Sequence, residues 1–211
     1  MAHLQNPFEF YETPETFTHW LFDCVAVEGR IAEPCAGSGA ILRAAVTCPR
    51  DRIWLLNDPD PFWRHASAMD ASTAAYWDQA GALDWVVTNP PFSQAVAILE
   101  FALARTTVGV AMHLRASFHE PTKTGKRRAF LREHPPTGVL WLPRFAYQRS
   151  PTSGDWSTDS VTSCWFIWLH DRRAPAFHEY APEWVFRALD DETPRYRARM
   201  DAITKERSAA A

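Results

Sequence analysis

Asp84-Trp85-Val86-Val87-Thr88 runs directly into Asn89-Pro90-Pro91-Phe92. The first five residues are an apolar, β-branched run of strand type. Two consecutive prolines have no N–H to donate and hold the backbone extended, so Asn89 is fixed at the end of that strand. Its side-chain oxygen and the Pro90 carbonyl are acceptors that suit a planar NH2 group, and the Phe92 ring offers a face for a flat molecule to stack on. Taken alone, the same letters also describe a proline-stiffened strand end with a buried Phe.

Upstream, Thr13-Pro14-Glu15 reads as a helix start, with Thr as the cap and Pro at the first helical position. The apolar spacing from Phe17 carries that helix to about Val27, and Gly29 ends it. Arg30-Ile31-Ala32-Glu33 is a short strand, Pro34-Cys35-Ala36-Gly37-Ser38-Gly39 a tight turn, and Ala40 to about Val46 a second helix. Strand, glycine turn and helix in succession form the unit that cradles nucleotide-like molecules. The next strand, Ile53-Trp54-Leu55-Leu56, ends at Asn57 and Asp58. Asp58 stands 19 residues after Gly39, near the spacing of about 20 expected for an acid that binds ribose hydroxyls. As an alternative it caps the following segment, Phe62 to Met69, which reads as helical.

Downstream of Phe92, Ser93 caps a helix to about Arg105, and residues 107–112 make a further strand. Such alternation predicts a mostly parallel sheet with helices on both faces, and ligands in such sheets sit outside the carboxyl ends of the strands. Glu33, Asp58, Asp70 and Asn89 all fall at or soon after those ends, with Asp78 a rival to Asp70. Residues 139–142 and 160–169 read as two more strands. No crossover helix fits between them, which predicts an antiparallel hairpin at the sheet edge. Residues 1–175 form one domain, and 176–211 an extension with a weak helix near 184–189 and a frayed tail.

At 211 residues the chain can bury a full core, and 25 acids against 22 bases leave it slightly acidic. Any polyanion must therefore meet a local patch. Residues 115–149 hold eight bases and two acids, centred on Lys123, Lys126, Arg127 and Arg128, which read as a phosphate-binding loop or as an ordinary solvated one. Four scattered cysteines suit a reducing, cytoplasmic setting and argue against a zinc ribbon or a disulfide framework. The histidines lack ligand spacing, so no metal is expected. No signal-like or membrane-spanning stretch is present in the sequence. Several of the ten tryptophans lie in strand-like runs and are expected in the core.

Together these residues resemble the amino-methyltransferases that use S-adenosyl-L-methionine, and within them the DNA adenine-N6 methyltransferases of bacteria and phages. Glu33-Pro34-Cys35-Ala36-Gly37-Ser38-Gly39 is similar to the family's cofactor loop, and Asn89-Pro90-Pro91-Phe92 to its catalytic motif. Thr13-Pro14 resembles the segment that touches the cofactor's methionine end, Asp58 the ribose acid and Asp70 the acid that holds the cofactor's adenine amino group. The resemblance implies a Rossmann-like fold with a seven-stranded sheet. It also implies base flipping, direct methyl transfer to adenine N6 and S-adenosyl-L-homocysteine as product. Phe92 would stack on one face of the flipped base and Phe145 or Tyr147 on the other, with Arg144 and the basic loop on DNA phosphates. The long target-recognition segment of many members is missing. That leaves the loops at 117–136 and 146–159 to read sequence, alone or as a homodimer. Methylation of RNA adenine or of a glutamine amide, and an inactive cofactor-binding subunit, are the competing readings.

Overall fold

Alternating apolar residues with cover on both sides dictate a central sheet. The computed structural model describes residues 11–48, 50–120, 125–148, 156–158, 162–171 and 173–210. Its strands are β1 (Gly29–Glu33), β2 (Arg52–Leu56), β3 (Leu83–Thr88), β4 (Thr106–Arg115), β5 (Gly138–Trp141), β6 (Ala146–Gln148), β7 (Trp156–Thr158), β8 (Ser163–Leu169) and β9 (Phe177–Tyr180). The helices are α1 (Glu15–Cys24), α2 (Ala40–Val46), α3 (Ala74–Ala80), α4 (Ala95–Arg105), α5 (Lys126–Glu133) and α6 (Glu183–Ala210). Seven strands form one sheet in the order β2-β1-β3-β4-β8-β5-β9, while β6 and β7 pair separately. Strands β2, β1, β3 and β4 are parallel, as are β5 and β9, and β8 runs against both its neighbours. This is the Rossmann-like α/β architecture expected from the sequence.

Successive side chains on a strand point to opposite faces, and each face has its own core. Trp85, Val87, Trp165 and Ile167 pack with Phe17, Leu21, Ile41, Val185 and Tyr196 from α1, α2 and α6. Val86, Val110, Met112, Phe166 and Trp168 pack with Trp77, Ile98 and Leu99 from α3 and α4. Helices therefore cover both faces, and Trp77, Trp85 and Trp165 are fully buried.

The structure corrects several local expectations. The antiparallel strand is not at an edge: β8 lies between β4 and β5, with β9 outside them. Cys164 to Trp168 is buried throughout and needs cover on both sides, whereas the more polar β9 tolerates an edge. Helix α1 stops at Cys24 because Val25-Ala26-Val27 turns extended, as β-branched residues favour. Gly29 is thus no helix cap but the first residue of β1. It takes a φ of +87°, and its missing Cβ leaves room for Asp84, which accepts a hydrogen bond from the Arg30 N–H. Residues 62–69 are not helical beyond a 3-10 turn at Pro61–Trp63, which Arg64 ends in the left-handed region. The helix forms instead at α3. The basic segment read as a loop is helical from Lys126, and the tail read as frayed is the 28-residue α6. No described helix is long and apolar enough to cross a membrane.

One core residue makes stability depend on pH. His113, on β4, is wedged between Phe17 and Trp165, with ring centroids 5.9 and 5.3 Å away, and neither ring nitrogen has a hydrogen-bond partner. Burial holds the ring neutral by pushing its pKa from 6.5 down to about 3. The unfolded chain takes up this proton near pH 6.5 and the folded chain does not, so stability present above 6.5 is lost as pH falls toward 3. Between pH 7 and 5 the loss from this ring is about 2 kcal/mol. His113→Leu is expected to lower Tm less than the parent over that interval, as read by thermal unfolding at each pH. Equal losses in the two proteins would contradict this.

Candidate active site

The carboxyl ends of β1, β2 and β3 open on one cleft of about 280 Å³. Its first wall is the turn between β1 and α2. Gly37 and Gly39 adopt φ of +50° and +75°, conformations that side chains rarely reach, and Gly39 N–H closes the turn onto the Ala36 carbonyl at 2.7 Å. Asp58 accepts from the Gly37 N–H at 2.8 Å with one oxygen and from the Asp60 N–H at 2.9 Å with the other. Burial nevertheless raises its pKa, outweighing those two donors. Each Asp58 oxygen retains a second lone pair, and Asp58 lines the cleft.

Asn57 ties this wall to the next. Its side-chain nitrogen donates to the Pro34 carbonyl (2.8 Å) and the Met69 carbonyl (2.9 Å), and its oxygen accepts from the Met69 N–H (2.9 Å). In the sequence Asn57 is recognisable only as a strand end. The link places Asp70, next along the chain, on the cleft, where Ser72 holds one of its oxygens through backbone and hydroxyl. Asp78 lies on α3, paired with Arg105 at 2.5 Å, and does not line the cleft.

Glu33 sits at the cleft floor, 1% exposed. Burial drives its pKa well above the usual carboxylate range, only partly offset by Arg43, and Oε2 has no hydrogen-bond partner. A cation entering the cleft would relieve that cost. Cys35 also lines the cleft, but burial raises its thiol pKa, so it offers no thiolate. Ala36 and Gly37 line the cleft beside it, while Pro34 and Gly39 serve the turn behind.

The opposite wall is Asn89 with residues 11–13. The Asn89 amide nitrogen donates to the Tyr11 carbonyl at 2.8 Å and to Thr13 Oγ1 at 3.1 Å. With both N–H bonds spent, Oδ1 is the group the amide offers elsewhere. The Pro91 carbonyl accepts from the Gln94 N–H at 3.0 Å, which leaves the Pro90 carbonyl as the second acceptor to consider. Thr13 is thus no helix cap. Pro14 takes the position before α1, and the carboxylate of Glu192 on α6 accepts from the Glu15 and Thr16 N–H groups instead. Glu12, which also went unnoticed in the sequence, is buried at the cleft with Arg43, Arg199 and Ser38 around its carboxylate.

Of the aromatic candidates, Phe92 is partly buried, with the Arg115 guanidinium 4.7 Å from its ring centre and the Tyr11 ring 6.4 Å away at 23°. Phe145 is buried among Phe17, Tyr147 and Tyr196, so the structure removes it from any stacking role. Tyr147 stands edge-on to Tyr11 at 6.0 Å. Arg127 lies 5.8 Å over Phe118, Arg128 and Arg144 are exposed, and Lys126 opens α5. Lys123 lies outside the described residues. Among the described residues no cluster of His, Cys, Asp or Glu could hold a metal ion.

No protein-family model matches the chain, and no curated protein sequence does. The backbone is similar to that of a Pyrococcus horikoshii protein provisionally named an RNA methyltransferase. The TM-score is 0.53 at 18% identity, over 80% of this chain and 92% of that one. It is also similar to an Agrobacterium tumefaciens protein provisionally named an O-methyltransferase, at TM-score 0.51 and 18% identity, over 88% of this chain and 97% of that one. At such identities the likeness establishes the fold.

Asn57 joins the Pro34 end of the glycine turn to the segment that carries Asp70. Asn57→Ala removes three hydrogen bonds and leaves two carbonyls and an N–H without that partner, at about 1 kcal/mol or more each. Thermal unfolding should show Tm lowered by several degrees; a Tm within a degree of the parent would contradict the role.

Proposed function

We propose that the chain is an S-adenosyl-L-methionine-dependent DNA methyltransferase acting on adenine N6. The observation that carries this reading is the fixed orientation of Asn89, whose nitrogen is committed to Tyr11 and Thr13 and whose oxygen is therefore offered at the cleft.

The cleft fits the donor by its own chemistry. Glu33 Oε2, buried and without a hydrogen-bond partner, supports a polar or cationic ligand group at this place. Asp58 offers lone pairs for ribose hydroxyls, Asp70 an acceptor for an adenine amino group, and the glycine turn lets backbone approach closely. Thr13 and Glu33 lie toward the methionine end in this assignment. Bound S-adenosyl-L-methionine supplies an electrophilic methyl carbon on a sulfonium centre and leaves as S-adenosyl-L-homocysteine.

Asn89 Oδ1 and the Pro90 carbonyl accept the two hydrogens of the adenine amino group, which aims the nitrogen lone pair along the line of transfer. As the N–C bond forms, the amino nitrogen becomes cationic and then releases one proton to solvent. Positioning is the main source of rate in such a displacement, so no base of unusual pKa is called for. Reaching this atom requires the base to leave the duplex, at a cost of a few kcal/mol. Stacking on Phe92, worth about 1 to 3 kcal/mol per base, offsets that cost. The near-parallel ring of Tyr11, 6.4 Å from Phe92, supports it as the partner for the other face, the role the resemblance gives to Phe145 or Tyr147. Arg127 and Arg128 on α5, with Arg144, supply local positive charge for phosphates on an otherwise acidic chain.

The test is transfer of labelled methyl groups from the donor to duplex DNA, RNA and protein, with nuclease and protease controls. Label should appear in DNA at adenine N6. Asn89→Ala should lower transfer by about 100-fold or more while leaving donor affinity within a few-fold. Label confined to RNA or protein, or full activity in Asn89→Ala, would overturn the reading.

A further inference from the structure

Residues 11–14, which supply both acceptors for the Asn89 amide, belong to no helix or strand. Ser38 and Arg43 hold Glu12 from the glycine turn and α2, and the remaining bonds come from the far end of the chain. On α6, the Glu192 carboxylate accepts from the N–H of Glu15 at 2.7 Å and of Thr16 at 3.0 Å. The Tyr196 hydroxyl donates to the Glu12 carbonyl at 3.0 Å. Arg199 Nε donates to Glu12 Oε1 at 2.6 Å, and its guanidinium also reaches Glu15 at 3.5 Å. These three side chains are spaced four and three residues apart and so share one helix face. Farther along, Arg207 pairs with Asp60 at 2.5 Å, beside the acid that holds the glycine turn.

We propose that this face of α6 positions Asn89, selecting the amide orientation that the proposed chemistry needs. Glu12 is gripped through its carbonyl and its carboxylate, and its immediate neighbours are Tyr11 and Thr13. An Asn89 amide turned by 180° would set its oxygen against the Tyr11 carbonyl and present N–H groups to an amino substrate, donor facing donor. A shift of about 1 Å in residues 11–13 takes the two Asn89 bonds beyond hydrogen-bonding reach and removes the preference. Displacements of that size cost about 100-fold in rate. Glu192, Tyr196 and Arg199 are therefore positioning residues that act through residues 11–16. The inference rests on the reading of Asn89 as the acceptor of the substrate's amino group.

The test uses the full chain labelled with 15N, the Asn89 side-chain amide signals being identified by their loss in Asn89→Ala. Tyr196→Phe keeps the ring and removes its bond to the Glu12 carbonyl; Arg199→Gln removes a charge, and Arg199→Lys restores it. Solvent exchange of the Asn89 amide protons should quicken about tenfold in the first two variants, the effect of losing roughly one hydrogen bond. Arg199→Lys should recover part of the protection. In methyl transfer, kcat should fall about 10- to 100-fold. Unchanged exchange of the Asn89 amide in both Tyr196→Phe and Arg199→Gln would overturn the inference. If the parent transfers no methyl group, the functional reading fails, and amide exchange alone still decides whether α6 positions Asn89.

Discussion

A carboxylate shut away from solvent, that of Glu12, is clamped between guanidinium groups from two helices, Arg43 on α2 and Arg199 on α6. Removing one partner of a buried ion pair is far more damaging than exchanging the whole pair, because it strands a charge in low dielectric. The clamp therefore joins three parts of the chain that have no covalent reason to meet: an irregular N-terminal segment, the helix after the glycine turn and the C-terminal helix. The cleft between β1, β2 and β3 inherits its shape from that junction. Residues 11–13 form one of its walls, and the Asn89 amide leans on them.

Much of this was legible in the letters, where the signal was local. Proline fixes its own φ and glycine frees its own, so a proline-stiffened strand end at 89–91 and a tight turn at 34–39 are legible from the residues themselves. Strand ends then bring Glu33, Asp58 and Asn89 to one crevice, since alternating strands and helices leave little topological choice. Asp70 reached the cleft for a reason the sequence did not disclose, the bridging amide of Asn57. Residues 62–69 have helical periodicity, but Arg64 breaks the backbone and Asn57 spends the polar groups farther on. Tertiary bonding outweighed a weak local preference.

What could not be read was contact across long separations. Glu192, Tyr196 and Arg199 sit in a charged stretch that looks like a solvated tail, and their partners lie more than 170 residues away. The same limit applies to Phe145, which in sequence is one more aromatic near a basic loop and in space belongs to the core under Tyr196. Tyr11 was passed over because a tyrosine just before a helix start carries no signal of its own. The fold itself hosts many chemistries, so the acceptor must be argued from particular side chains: Tyr11 and Asn89, which line the cleft, and Phe92, which faces Tyr11 and the Arg115 guanidinium.

The most direct measurement is a crystal structure of the chain soaked with S-adenosyl-L-homocysteine. The account predicts the ligand in the cleft between the glycine turn and Asn89, with its ribose on Asp58 and its sulfur facing the Asn89 amide oxygen. A ligand bound elsewhere, or a sulfur turned away from Asn89 toward the far side of the turn, would contradict it.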